Sequence, residues 1–278
     1  MAGRRPVVGV AVGEPKKGSG TSTGPSPSSS ASAVADEPYT LAEEQAPKTR
    51  GEAVAFVRGL DVRPDYFATG YRKRNPFESD PAQWAVLGED CLWRREALPE
   101  TALASLTRAF EMPEQGGKEA VYVSLTVTVH ENIVAARRDM AGALESALRC
   151  PEQRLNATDV VRGLYSRVDA STDLRNAVTE DDLVEAGEWV VDGENEAHPF
   201  DWYKFRVGPV TVAATARHGA GRSKEEDTAV SSDLAKGVGF VAAEIDNWGA
   251  AGSEGAADDS GGTDGATDEP AETKGAEQ

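Results

Sequence analysis

The chain has 278 residues, with 47 Asp and Glu against 29 Lys and Arg, a formal charge of −18. That balance argues against nucleic acid or an anionic membrane as main partner, since both need a positive protein surface. Two cysteines exclude a disulfide-dense scaffold and any zinc site of four thiolates, and the first apolar run, Val7 to Val12, is too short to span a bilayer.

Residues 18–33 contain only Gly, Ser, Thr, Pro and Ala, so they bury too little apolar surface to offset their ordering entropy. The composition predicts a disordered linker over residues 1–45. At the other end, residues 249–278 carry eight acids against Lys274 alone and no Leu, Ile, Val or aromatic, which predicts a disordered acidic tail. Between them, 46–248 holds all five tryptophans and reads as a single domain.

Ala53, Phe56, Val57 and Leu60 follow helical spacing and predict a helix over 51–60. Residues 61–90, with Pro64, Pro76 and Pro81, read as an irregular packed connection, and Cys91–Glu96 as a strand. Residues 121–130 carry the clearest pattern: Val121, Val123, Leu125, Val127 and Val129 alternate with Tyr122, Ser124, Thr126, Thr128 and His130. Period two with β-branched residues predicts a strand with one face on a core. Leu103–Glu111 pairs with it as a hairpin through 113–117. A helix follows over 132–149, capped by Asn132, with Ile133, Met140, Ala141, Leu144 and Leu148 as its apolar stripe.

In the second half, 155–168 reads as a strand and 179–188 as a short helix capped by Thr179. Trp202–Val207 and Val210–Arg217 flank Gly208-Pro209 as a tight hairpin, and a helix over 225–247 presents Val230, Leu234, Val238, Val241 and Ile245 on one face. Both halves thus read hairpin then helix. The sum is an α+β fold: an antiparallel sheet with helices packed on one face.

Cys91 and Cys150 stand at element ends, with no other cysteine in the chain. They form a disulfide, as usage in an oxidising compartment predicts, or remain two separate buried thiols. Cys150 at a helix C-terminus is poorly placed for thiolate chemistry. His130 and His218 end corresponding strands of the two halves, which makes a hydrolytic pair conceivable and two polar strand ends the plainer reading. No nucleophile elbow, HExxH, P-loop or dinucleotide fingerprint is present, and no metal or cofactor is expected. Asp192–Glu196 has calcium-type ligands without EF-hand spacing and reads as a solvated loop. The most unusual segment is 66–84, where aromatics interleave with Arg72, Lys73 and Arg74. Rigid aromatic faces beside a planar guanidinium build binding surfaces, so Tyr71, Arg72, Phe77 and Trp84 are the candidate binding residues. Burial of these aromatics against the core is the competing expectation.

The Cys91-x-Trp93 strand, the second cysteine after a helix at Cys150, the Val207-Gly-Pro-Val210 hairpin before a terminal helix and the Ser/Thr/Pro/Gly linker resemble actinobacterial cell-envelope proteins. The family meant is the secreted lipoproteins of the Streptomyces type and, more distantly, the extracellular sensor-like domains of kinases. The resemblance implies an α+β domain tethered outside the membrane, and no catalytic residues carry over. The start departs from that pattern: Met1–Arg5 precedes a short apolar run with no lipobox cysteine and no Ala-x-Ala site after it. The expectation is a non-enzymatic envelope module binding a protein or small ligand, without a membrane span in this chain. The alternatives are a cytoplasmic interaction protein and a hydrolase using His130 or His218.

Overall fold

The structure, a computed structural model, describes residues 38–166, 179–191, 193 and 196–258. The predicted linker and acidic tail fall largely outside these residues, as does most of the loop at 192–196. The described chain is packed from its start. Leu41 is buried, the Thr40 amide donates to Asp246 Oδ1 at 3.0 Å, and the Ile133 amide donates to Glu43 Oε2 at 3.0 Å.

Helix α1 (Arg50–Gly59) begins with a reciprocal capping box between Thr49 and Glu52. A 3₁₀ turn, Pro64–Tyr66, leads to strands β1 (Arg72–Glu78), β2 (Gln83–Leu87), β3 (Trp93–Ala97), β4 (Ala102–Met112) and β5 (Val121–His130). Helix α2 (Ile133–Arg149) is followed by β6 (Gln153–Arg154), β7 (Asp159–Ser166), β8 (Asp181–Val191), β9 (His198–Val207), β10 (Val210–Arg217) and helix α3 (Lys224–Asp258). Eight strands form one sheet in the order β1-β4-β5-β10-β9-β8-β7-β6, every ladder antiparallel, and β2-β3 form a separate hairpin. The α+β architecture read from the sequence is the one that forms.

The alternation in β5 decides the layering. Its Val and Leu positions lie in one core with Val212, Ala214 and Ala216 of β10 and Tyr203, Phe205 and Val207 of β9. Helices α1 and α3 close this face, and all five apolar positions predicted for α3 are buried. Gly237 sits where a Cβ would overlap the Phe67 ring, so the helix and the 3₁₀ turn approach closely there. The expectation that helices share one face holds for α1 and α3. Helix α2 lies on the other, against Val161, Leu164, Trp189, Phe200 and Trp202.

Three local readings change. The 61–90 connection contains β1 and β2. Strand β1 is a sheet edge, where one side needs no ladder partner, so Pro76 and three consecutive basic residues are tolerated and no alternation marks it. Residues 179–188 belong to β8, not a helix. Between β7 and β9 the backbone is paired on both sides, and that overrides a local capping pattern. Helix α2 buries Ala135, Ala136, Met140, Ala143 and Ala147, while Leu144 and Leu148 are exposed. Its small-residue face lets it lie close over bulky aromatics of β9.

The β9–β10 turn forms as predicted. Gly208 has φ +56°, its amide donates to Glu180 Oε2 at 2.6 Å, and a Cβ there would overlap the Leu41 carbonyl. Gly208→Ala should therefore cost on the order of 2–3 kcal/mol in urea unfolding, by combining a disfavoured backbone conformation with a steric clash. A change under about 0.5 kcal/mol would contradict this account.

Candidate functional site

On the sheet face away from α1 and α3, the alternate residues of four strands form the floor of a cleft of about 540 Å³. That size suits a small organic ligand. Ser124, Thr126, Thr128 and His130 come from β5, Thr211, Ala213 and Thr215 from β10, Ser105 and Thr107 from β4, and Phe200, Trp202 and Lys204 from β9. Cross-strand register pairs the hydroxyls: Ser105 with Thr128 and Thr107 with Thr126, each at 2.8 Å. A sheet face of this composition neither packs as an apolar core nor carries the charges of an ordinary exposed strand.

The hairpin β2-β3 stands over this floor, adding Trp84, Val86, Leu87, Trp93 and Arg95, and α2 adds Ala135, Arg138, Asp139 and Ala143. Several bonds hold the hairpin. Cys91 and Cys150 form a disulfide with Cα atoms 5.7 Å apart, inside the range the bond needs. Arg149 donates to the carbonyls of Gly88 and Leu87 at 3.1 and 3.3 Å. The Trp93 indole donates to Gln153 Oε1 at 2.7 Å and meets Trp202 edge-on at 5.8 Å. At the hairpin base the Ser105 amide donates to the Pro81 carbonyl at 3.1 Å.

One end of the cleft is closed by a charged cluster. Lys204 Nζ lies 2.9 Å from Asp139 Oδ1, the Thr211 hydroxyl donates to Asp139 Oδ2 at 2.8 Å, and His130 Nε2 lies 3.0 Å from Thr211 Oγ1 and 3.3 Å from Asp139 Oδ2. Burial opposes charge on Asp139. The Lys204 ammonium and the His130 ring beside it nevertheless hold its carboxyl well below the usual range. The same ring nitrogen of His130 faces both the hydroxyl and the carboxylate. An acid–base relay needs the carboxylate on one ring nitrogen and the hydroxyl on the other, so this cluster has the geometry of a bonded end wall.

On the same face of the sheet, opposite Trp202 in register, Glu185 of β8 is fully buried. Its Oε1 accepts from the Ser166 hydroxyl at 3.3 Å, and its Oε2 has no partner among the described residues. Burial pushes its carboxyl up to about 7, against the opposing influence of Ser166 and Lys204.

The sequence-predicted residues separate. Trp84 lines the cleft. Tyr71 is buried on the opposite, valine face beside Phe67, with its hydroxyl pushed up by burial first and by nearby Asp233 second. Phe77 packs edge-on against Phe110 at 5.4 Å, and Arg72 pairs with Glu111 at the sheet edge. The four do not form one surface. His130 is in the cleft, while His218 is buried at the far end of β10, on the order of 25 Å away by strand rise. There its ring nitrogens meet Asp227 and Asp201 at 2.8 and 2.9 Å. The two histidines therefore do not form a pair. Arg95, Arg138, Asp139, Trp202 and Lys204 were missed as site residues. The available signal was the run of hydroxyls on the polar face of β5, repeated by Thr211 and Thr215 on β10, where a solvated strand would carry Lys or Glu. Among the described residues, no three His, Cys, Asp or Glu side chains are placed to hold a metal ion, and no helix is long and apolar enough to cross a membrane.

No family model matches the chain, and no curated protein does. The solved structure of an uncharacterised protein from Mycobacterium smegmatis, described as an Rv0999 ortholog, aligns with 70% of this chain and 98% of its own length. The identity is 11% and the TM-score 0.30, a likeness to an actinobacterial protein too distant to transfer a site.

Removing the disulfide by Cys91→Ser with Cys150→Ser should lower unfolding free energy by about 4 kcal/mol, the loop-closure value for a separation of 59 residues. Urea unfolding of the oxidised protein and the variant measures it. Equal midpoints, or two titratable thiols in native protein, would contradict the bond. Glu185 yields a pH signature. Its carboxyl titrates near 4.5 when unfolded and near 7 when folded, so the folded state holds the extra proton between those values. Stability should fall as pH rises through that window, and Glu185→Gln should remove the fall, gaining on the order of 3 kcal/mol at pH 8. Urea midpoints at pH 5 and pH 8 test this, and the same pH dependence in both proteins would refute it.

Proposed function

We propose that this protein is a non-enzymatic binding module of the actinobacterial cell envelope, tethered in the manner of a secreted lipoprotein or sensor domain, and that it holds a small ligand in the hydroxyl-floored cleft. The observation that carries the reading is the pairing of a polar sheet face with a separate hairpin. The hairpin leaves the floor reachable and puts Trp84 and Trp93 over it. Aromatic walls supply contact area, and convergent hydroxyls fix orientation, the usual division of labour in small-molecule sites. The disulfide fits an oxidising compartment. The single-nitrogen geometry at His130 disfavours hydrolysis.

Ala213 lies on the floor, so a larger side chain there fills the cleft while the valine face stays intact. A thermal-shift screen of small organic anions, cations and neutral amphiphiles should find compounds that raise the melting temperature of the native protein. Ala213→Phe should fold and lose those shifts. Shifts that persist in Ala213→Phe, or none with any class, would defeat the proposal.

A further inference from the structure

We infer that the cleft selects an amphiphilic anion, its carboxylate, sulfonate or phosphate head met by the guanidinium groups of Arg95 and Arg138 and its apolar body lying against Trp84, Trp93 and Trp202; this rests on the cleft being the ligand site. The charge inventory comes first. Asp139 supplies the one carboxylate among the lining residues, and Lys204 neutralises it at 2.9 Å. Arg95 and Arg138 then remain without a carboxylate partner among the described residues. Three less exposed arginines of this sheet are met by acids: Arg108 by Glu78, Arg206 by Glu180 and Asp181, and Arg217 by Asp159. In a chain with 47 acids and 29 bases, two unpaired guanidiniums on one cleft form a local positive site.

Arg95 is also held in place. Its backbone is at the rim on β3, but its Nη2 reaches inward to donate to Thr107 Oγ1 at 3.0 Å, and Thr107 in turn bonds Thr126. Burial pulls its side-chain pKa down with no compensating carboxylate. Arg95 is exposed at the rim, and its guanidinium, bonded to one neutral hydroxyl, keeps other donors for an incoming anion. Arg138 enters the lining from α2. Trp84, Trp93, Trp202 and Leu155, with Phe200 and Leu87, are the bulkiest of the apolar lining residues, a surface that a fully hydrophilic anion would leave unused. The end wall at Lys204 and Asp139 is internally satisfied, so the free cationic groups, not this pair, set the preference.

The probes are 8-anilinonaphthalene-1-sulfonate and its uncharged counterpart, N-phenyl-1-naphthylamine, titrated into the full chain with probe and tryptophan fluorescence as readouts. The sulfonate should bind at least about tenfold more tightly, and added salt should weaken it alone. Arg95→Gln and Arg138→Gln should each weaken the sulfonate roughly three- to tenfold and leave the naphthylamine within about twofold, with unchanged near-ultraviolet dichroism. Equal affinities for the two probes, or arginine variants that weaken both alike, would overturn the anion preference while leaving the cleft as a neutral ligand site. Sulfonate binding undiminished in Ala213→Phe would place the probe outside the cleft and overturn both proposals.

Discussion

The β5–β10 ladder at the middle of the sheet sets the constraint on which the rest depends. Eight residue pairs run from Val210 opposite Val129 to Arg217 opposite Tyr122, and directly opposed residues share a face. One face is therefore valine, leucine and alanine and must be covered by apolar helices. The other carries Thr, Ser, Tyr122 and Arg217 beside Ala213, and its polar groups have to be satisfied by hydrogen bonds or left open to solvent or ligand. The cleft is the consequence of the second face. A slip of one residue would exchange the two faces and destroy core and cleft together.

Each cover matches its face. Helix α3 supplies Val230, Leu234, Val238, Val241 and Ile245 to the apolar side. Helix α2 offers alanines, and the sheet answers with Trp202, Phe200 and Trp189. This reverses the usual assignment of large residues to the helix and small ones to the sheet, and it accounts for leucines on the solvent side of α2. Hairpin β2-β3 covers the remaining floor outside the ladders of the main sheet, so the disulfide, side-chain bonds and two backbone bonds (Ser105 amide to Pro81 carbonyl and Arg154 amide to Cys91 carbonyl) fix its position. The disulfide joins the turn of this hairpin to the C-terminal end of α2, the two elements that wall the cleft.

Charge is distributed with the same asymmetry. The Lys204–Asp139 pair is supported by the Thr211 and His130 contacts, which offset part of the cost of desolvating two ions. The buried histidine at the other end of β10 is likewise bracketed, by Asp201 and Asp227, with Ser231 donating to the same Asp201 oxygen at 2.5 Å. Internal charges in this protein are met by partners, which makes the half-satisfied Glu185 a departure from its own pattern; the cleft arginines, at the exposed rim, are free of carboxylates for a different reason.

The sequence by itself determined the strands whose pattern is local. The alternation of β5, the Gly208-Pro209 hairpin, the Asn132 cap and the apolar stripe of α3 all follow from periodicity and turn chemistry, and they were enough for the α+β class. Cysteine usage pointed to the Cys91–Cys150 bond. Only the tertiary structure decided β1 and β8, because edge position and two-sided pairing override weak local signals. It also decided which face α2 buries, since alanines face inward only where a partner strand supplies the bulk. The binding residues show the same division. Trp84 was legible as an aromatic among charges, but Tyr71, Phe77 and Arg72 share that segment and point elsewhere, because one stretch of chain crosses from the sheet edge to the hairpin. Arg95, Arg138 with Asp139, and Lys204 come from three different elements, β3, α2 and β9, and nothing local to any of them records that folding brings them to one cleft.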